Sequence, residues 1–599
     1  MKTSMRTDYC GALRPADTGR TVSVCGWVQG RRDLGGLLFV DLRDRTGLVQ
    51  CVFNAAGDAA VFRQAEALRN EYVVCVTGTL SHRDPETVNP QLPTGQVEVR
   101  AASVRVFAAA KTPPFEIEDE TDVNEALRLK HRYLDLRRPA LQRNLILRHK
   151  AAQVTRRFFD QEGFLEIETP LLTKSTPEGA RDYLVPSRVH PGAFYALPQS
   201  PQQYKQLLML AGCDRYVQLA RCFRDEDLRA DRQPDFTQID MEMSFVDIDD
   251  IFDVNERYIV ALFKELLGVD IPRPFLRLPY REAMRRFGSD KPDLRFGHEL
   301  RDITDIVKGS SYKVFSGAAA TGGVHLLNMN GYADKFPRRD IDGLTDWIKN
   351  YRVGGLAWIR LIGGERVTSF GKFMTEDEMA AILKRADAQD GDVLFIVGDA
   401  KEDRALQALG ALRLECARRL NLIRRDDFKF LWVTEFPLFE YSEEEKRFTS
   451  SHHPFTAPMD EDLPLLDEGR LGEVRSKAYD MVLSGTELSS GSIRIFDSAT
   501  QAKMFSLLGF SDEQIEARFG HLISAFQYGV PPHGGMAFGF DRIVMLMVGA
   551  DSIRDVIAFP KVQTAAELMM ESPASVDTKQ LQDLHIKLDV REQKAEVKG

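Results

Sequence analysis

Phe223-Arg224-Asp225-Glu226-Asp227-Leu228-Arg229-Ala230-Asp231-Arg232-Gln233-Pro234-Asp235-Phe236 is the stretch on which the reading of this chain turns. Residues 217–223 before it and 236–245 after it are apolar enough, and alternate enough, to predict two strands. A long polar loop between antiparallel strands can fold over a ligand, and a guanidinium at the strand end can hold a phosphate through two parallel bonds. Far downstream, Gly534-Gly535-Met536-Ala537-Phe538-Gly539-Phe540-Asp541-Arg542 leads into an apolar helical pattern over 543–548. Its glycines let backbone approach a ligand closely. Arg542 falls in the first helical turn, where an anion is favoured. No Gly-x-x-x-x-Gly-Lys-Ser/Thr pattern occurs in the chain, so a triphosphate here would rest on guanidinium forks and metal ions instead of loop amides.

Working outward, 599 residues exceed one hydrophobic core and imply three or more domains. A hydrophobic content of 43% with 28% charged residues is that of an ordinary globular protein. The net charge of −10 argues against a protein that coats DNA, yet a local basic patch can still bind RNA. Residues 1–110 hold 13 Arg or Lys against 11 Asp or Glu, so this segment is +2 and the remainder −12, which points to the N-terminus as the nucleic-acid end. Cys10, Cys25, Cys51, Cys75, Cys213, Cys222 and Cys416 form no Cys-x-x-Cys pair. That spacing implies a reducing compartment, with neither a cysteine zinc site nor a disulfide framework. There is no apolar run of about 18 residues and no apolar N-terminal leader, so the expectation is a cytoplasmic protein without a membrane partner.

The fold class expected is multidomain α+β. Strands over 21–28, 37–42, 48–53, 72–79 and 97–107, with a helix over 58–68 after the third, follow the order of an OB-fold β-barrel, a module that binds oligonucleotides. The boundaries are 1–110 for this barrel, 111–140 for a hinge opening at Lys111-Thr112-Pro113-Pro114, and 141–288 for the first part of a core with a helix over 145–161 and a strand over 164–172. A Gly- and Ala-rich inserted α+β domain covers 289–422, the core resumes over 423–560, and a C-terminal extension covers 561–599.

Phe164-Leu-Glu-Ile-Glu-Thr-Pro-Leu-Leu-Thr-Lys-Ser-Thr-Pro-Glu-Gly-Ala180, the Arg224 run and the Arg542 run resemble motifs 1, 2 and 3 of class II aminoacyl-tRNA synthetases. Gln-Ser-Pro-Gln at 199–202 and His-His-Pro-Phe-Thr at 452–456 bring the chain close to the bacterial aspartyl type, over most of its length. The resemblance implies a six-stranded antiparallel catalytic sheet flanked by helices, and a homodimer with the first motif at the interface. It implies an ATP- and Mg2+-dependent ligase that makes aspartyl-adenylate and passes aspartate to the 3′ end of its tRNA. Arg224 would clamp the α-phosphate and Arg542 the γ-phosphate, these two being the catalytic arginines. Asp225, Glu226, Gln233, Phe236, Glu487, Gly539, Phe540 and Asp541 would complete the ATP site. Asp480 and Glu487 would be the metal carboxylates.

Binding L-aspartate while rejecting asparagine calls for buried cations, because a neutral amide would leave them unpaired. The resemblance puts Lys205 and Arg494 on the substrate carboxylate with Asp240 ordering them, and Glu178, Ser200, Gln202, Arg224, His452 and His453 around the rest of the amino acid. For the barrel it implies anticodon contacts from Arg32, Phe39, Gln50 and Glu98, an aromatic platform with edge readers being the usual way to read unpaired bases. Gln29-Gly30-Arg31-Arg32 departs from a run of three arginines in many relatives. Relatives that also charge asparagine tRNA often have a His after Arg-Arg-Asp and a Gly in a later loop; Leu34 and Glu86 here lean to strict aspartate-tRNA recognition. The relaxed enzyme is the alternative. A non-catalytic RNA-binding paralogue is more remote, since it should have lost Arg224, Arg542 or the Asp480/Glu487 pair.

Overall fold

The computed structural model describes residues 3–175, 180–228 and 231–589. They fall into two compact units: 1–149 with 228–232 and 552–575, and 150–227 with 233–551 and 576–599.

In the first unit, Thr21–Asp33, Leu37–Asp44, Gly47–Asn54, Val73–His82 and Val97–Ala108 close into a barrel, the fifth strand lying between the third and fourth. Period-two alternation builds its core: Val22, Val24 and Val28 point inward on the first strand, Leu38, Val40 and Leu42 on the second. The helix after the third strand is Ala59–Glu66, capped by Asp58, whose carboxylate accepts from the N–H groups of Ala60 and Val61. The first strand runs past residue 28 because a bulge between Val28 and Gly30 lets it keep pairing as far as Asp33 with Leu38.

Residues 111–140 are not a bare hinge. They contain the helices Glu125–Lys130 and Arg132–Asp135. Buried Arg132 donates to Asp135 at 2.6 Å and to the carbonyls of Arg554, Ile557 and Ala558 at 2.7, 3.0 and 2.9 Å. One planar fork thus ties 552–575 into this unit, which cuts across the boundary expected at 560.

The second unit is built on an eight-stranded sheet. Its middle is antiparallel, in the order Phe430–Thr434, Ala478–Leu483, Thr486–Ile493, His533–Gly539, Asp235–Ser244 and Arg215–Phe223. The expected six-stranded sheet is therefore present, but Leu276–Pro279 and Leu165–Glu166 extend it with a parallel strand at each edge. The strand expected over 164–172 is cut to two residues. It has one neighbour only; after Ile167 donates to Val217, the chain reaches Pro170, which has no N–H to give. Helix Ile248–Leu267 covers one face, its Phe252 stacked on Trp432 at 3.9 Å.

The inserted segment forms a second sheet of five strands, ordered Leu300–Asp302, Gly323–Met329, Val393–Asp399, Ala357–Ile362 and Glu365–Thr368. Helices Arg338–Ile348 and Glu402–Arg419 cover Leu327, Phe395 and Val397 on one face; Lys313–Thr321 and Glu376–Arg385 cover Val324, Leu326, Leu394 and Ile396 on the other. With both faces covered, residues 393–397 are apolar without alternation, as a doubly buried strand requires. No helix among the described residues is long and apolar enough to cross a membrane.

Candidate active site

Arg224 follows the last residue of the strand Arg215–Phe223, and its N–H donates to Pro234 O at 2.9 Å, closing the base of the charged loop. Its guanidinium carbon lies 5.3 Å from the centre of the Phe236 ring, a cation–π approach that holds the fork, while its buried Nε has no hydrogen-bond partner. Gln238 pairs with Gly539 and Phe223 with Asp235, so the Arg224 loop and the Phe540–Val548 helix leave the sheet at the same end. Asp541 joins them by accepting the Thr237 N–H at 2.9 Å. Arg542 donates to Glu487 O at 2.6 Å and lies 3.9 Å from the Glu487 carboxylate. Two motifs remote in sequence thus share one sheet end. Asp225, Glu226 and Gln233 belong to the same loop, Gln233 being buried.

The metal candidates sit on the hairpin Ala478–Leu483/Thr486–Ile493. Asp480 is opposite Ser490 and Val482 opposite Glu487, with a bulge between Met481 and Val482. Without the extra residue, Glu487 would face away from Asp480; the bulge puts both carboxylates on one side of the sheet. Asp480 is buried and its Oδ1 has no hydrogen-bond partner. Burial first, and then the Glu487 charge, push its carboxyl well above the ordinary value. Two hard oxygen donors, one of them orphaned and strained by its neighbour's charge, fit a divalent cation such as Mg2+.

The amino-acid candidates form a buried charge cluster. Lys205, on the helix Gln202–Leu210, donates to Asp240 at 2.6 Å and lies 3.4 Å from Glu242. Arg494 grips Glu242 with two bonds, at 2.9 and 3.1 Å, and donates to Ser492 at 2.6 Å and to His453 Nε2 at 2.8 Å. Arginine only donates, so His453 Nε2 carries the lone pair and the imidazole is neutral. Burial, reinforced by Arg494, holds its pKa well below the usual value, and burial also lowers that of His452. Asp240 and Glu242 are both 0% exposed. Burial raises the Asp240 carboxyl despite Lys205. It also works against Glu242, but Arg494 and Lys205 outweigh it and hold Glu242 down at about 2.

Glu242 is the residue that sequence reasoning missed. The signal was there: Asp240 and Glu242 are two apart on one strand and so share a face, and Gly535 pairs directly with Glu242. A Cβ at Gly535 would stand 2.1 Å from Glu242 Oε2, so only glycine admits the carboxylate. Buried Gln206 and His533 were also missed; Gln206 Nε2 donates to His533 Nε2 at 3.1 Å beside the cluster, and Gln206 Oε1 accepts from Gln202. His452 packs 5.1 Å from the Phe436 ring and feels the charges of both Glu487 and Arg494, which puts it between the two groups. Ser200 precedes the Lys205 helix and is partly buried. Glu178 lies outside the described residues.

The anticodon candidates are on the outer face of the barrel. Arg32 pairs across the ladder with Phe39, Asp41 with Gln50, and Gln50 with Glu98. A hydrogen-bonded row follows: Arg32 to Asp41 at 3.1 Å and to Gln50 at 3.2 Å, then Gln50 to Glu98 at 3.2 Å. Phe39 shares this face with Asp41. Leu34, 69% exposed, caps the adjoining turn, and exposed Glu86 lies in the turn Pro85–Thr87. Gly30 sits at the first-strand bulge with open space around it, so nothing local demands glycine there.

Comparison with known proteins identifies the family. Residues 22–107 match the OB-fold nucleic acid binding domain and residues 124–563 the tRNA synthetases class II (D, K and N). The aspartate–tRNA ligase of Ruminiclostridium cellulolyticum is 58% identical over 585 residues, covering 97% of this chain and 98% of the relative. The aspartate–tRNA(Asp/Asn) ligase of Symbiobacterium thermophilum is 57% identical over 593 residues, covering 98% of this chain and all of the relative. Among solved structures, asparaginyl-tRNA synthetase from Pyrococcus horikoshii superposes with a TM-score of 0.58 at 18% identity, over 93% of this chain and 98% of that one, a likeness of fold. With family motifs spanning most of its length and a relative this close, the chain belongs to the class II tRNA synthetases (D, K and N).

Proposed function

We infer that the chain is an aspartate–tRNA ligase, which activates L-aspartate with ATP and transfers it to tRNA. The observation that carries this reading is the buried cluster of Lys205, Asp240, Glu242 and Arg494: two cations held by two carboxylates at nearly full burial, charges that packing does not need and a small anionic substrate can use. Lys205 and Arg494 can only donate, so the N–H donors of an asparagine amide are disfavoured beside them where a carboxylate is welcome.

ATP lies folded at the sheet end, its base on Phe236 with Glu226 and Gln233 near the adenine edge, its α-phosphate on Arg224 and its γ-phosphate on Arg542. The Arg224 Nε orphaned in this structure supports that role. Asp480 and Glu487 would hold Mg2+, which when bound neutralises phosphate charge. The α-carboxylate of the substrate, already an anion, attacks the α-phosphorus in line and pyrophosphate leaves, so no protein base is needed. Neutral His452 and His453 bind and orient, and the arginines neutralise the charge that develops on phosphate. The tRNA 3′-terminal hydroxyl then attacks the aspartyl-adenylate carbonyl and AMP leaves.

The barrel reads the anticodon through Phe39 and the Arg32–Gln50–Glu98 row. The subunits pair as a homodimer through the first motif, where Leu165, Leu171 and Leu172 are 53%, 45% and 50% exposed. Seven free cysteines accord with a cytoplasmic enzyme. Recognition is strict for aspartate tRNA, on the strength of Leu34 and Glu86. The Symbiobacterium relative is named for both tRNAs, and charging of asparagine tRNA as well is the alternative reading. Aminoacylation of purified aspartate and asparagine tRNAs side by side separates the two. Pyrophosphate exchange that is independent of aspartate, or unaffected by Arg494→Ala, overturns the ligase reading itself.

A further inference from the structure

His325 is a buried polar residue on an inner strand of the inserted sheet. It lies on Gly323–Met329, a strand buried along its whole length, and is itself 0% exposed. Neither ring nitrogen has a hydrogen-bond partner. Native structures rarely leave a buried imidazole so, because the lost hydration is not recovered. What faces it is carboxylate. Asp302 is its direct cross-strand partner, so the two side chains share a face. Glu402, the first residue of the helix Glu402–Arg419, brings Oε1 within 3.3 Å of His325 Nε2, outside hydrogen-bond geometry.

One ligand atom from each of Asp302, His325 and Glu402 lies within 4.8 Å of the other two. Asp302 is oriented from behind, its Oδ1 accepting the Thr304 N–H at 2.8 Å. Gly323 keeps the space open: a Cβ there would stand 2.6 Å from His325 Nε2 and 3.1 Å from Glu402 Cγ. Both carboxylate residues are exposed, so an ion can arrive from solvent while the imidazole waits at the floor.

We propose that Asp302, His325 and Glu402 form a binding site for a borderline divalent transition metal of the Zn2+ class, separate from the Asp480/Glu487 carboxylates. An imidazole nitrogen with two carboxylates suits such an ion and not Mg2+, which prefers oxygen ligands throughout. Bonds of about 2.0–2.2 Å require the ligands to close in, and the two exposed carboxylates, one at a strand end and one in a first helical turn, have room to do so. Two carboxylates face the imidazole, against the opposing charge of Arg285. The ion cross-links the strands Leu300–Asp302 and Gly323–Met329 to the start of the helix Glu402–Arg419. It strengthens the inserted domain and takes no part in amino-acid activation. Cysteine spacing pointed away from zinc because this site uses no cysteine.

The test uses the full-length protein stripped with chelator and given Zn2+ alone. Crystals soaked in Zn2+ and measured at its absorption edge are expected to show an anomalous peak between Asp302, His325 and Glu402; peaks only at cysteines, or none, overturn the site. In calorimetric titration, Glu402→Gln and Asp302→Asn should each weaken Zn2+ binding at least tenfold, and Gly323→Ala should block it, while Mg2+-supported pyrophosphate exchange keeps its rate. Unchanged Zn2+ affinity in both carboxylate variants overturns the proposal. These exposed positions carry the test because replacing buried His325 can disturb folding by itself.

Discussion

The two sheets of the second unit bury their middle strands in opposite ways. In the five-stranded sheet, Val393, Leu394, Phe395, Ile396 and Val397 are apolar on both faces, each covered by helices. In the eight-stranded sheet, Asp235–Ser244 buries Asp240 and Glu242 as completely as Ile239 and Met241. The first arrangement is what packing alone selects. The second places charge where apolar residues of similar size would be no less stable, and so marks a face kept for a ligand.

The strongest attack on that contrast is Arg494→Ala. It strands Glu242 without its bidentate partner and removes a cation proposed to meet the substrate; aspartate-dependent pyrophosphate exchange should fall by about 10³-fold or more. A fall below tenfold would make the cluster a matter of packing like the other sheet. Next is Glu242→Gln, which keeps the shape and removes one charge, with an expected loss of about 10²-fold in exchange, read mainly in the aspartate KM. Glu242 also predicts a pH dependence. Its folded pKa of about 2 lies below the usual value of about 4.3, so its stabilising contribution is complete above about pH 4.3 and is lost as pH falls towards 2. An acid-unfolding curve for Glu242→Gln should lack that component.

The converse test is Phe395→Ala. Phe395 is fully buried and meets Phe336 edge to face at 5.6 Å. Its truncation should cost about 3–5 kcal/mol of unfolding free energy while exchange per folded molecule is unchanged. A large loss of exchange in well-folded protein would erase the contrast between the sheets. The smallest effect concerns the barrel. Arg32→Ala should weaken aspartate-tRNA recognition by about 1–3 kcal/mol, seen as a raised KM for tRNA, with no change in tRNA-independent exchange.

Much of this was legible beforehand, for identifiable reasons. The barrel strands appeared because one-sided burial imposes alternation, as at Val22, Val24 and Val28. The helices Ala59–Glu66 and Phe540–Val548 appeared near their observed bounds because apolar spacing follows the helical turn. The edge strand at 165–166 was overestimated, since local pattern does not reveal that a strand has a single neighbour. Nothing in its local sequence singles out Arg132; its binding to the carbonyls of 554, 557 and 558 depends on a segment more than 400 residues away.

By itself the sequence nominated the side chains proposed to carry chemistry: the two motif arginines, Lys205, Asp240, Arg494 and the Asp480/Glu487 pair. Residue type and local spacing are written in the chain. Only the tertiary structure decided how they combine. The bulge at Met481/Val482 turned Glu487 to the side of Asp480, and the pairing of Glu242 with Gly535 opened room for a second buried carboxylate. Register between strands distant in the chain is set by the packing of the whole sheet, and a shift of one residue would have sent each of those groups to the opposite face.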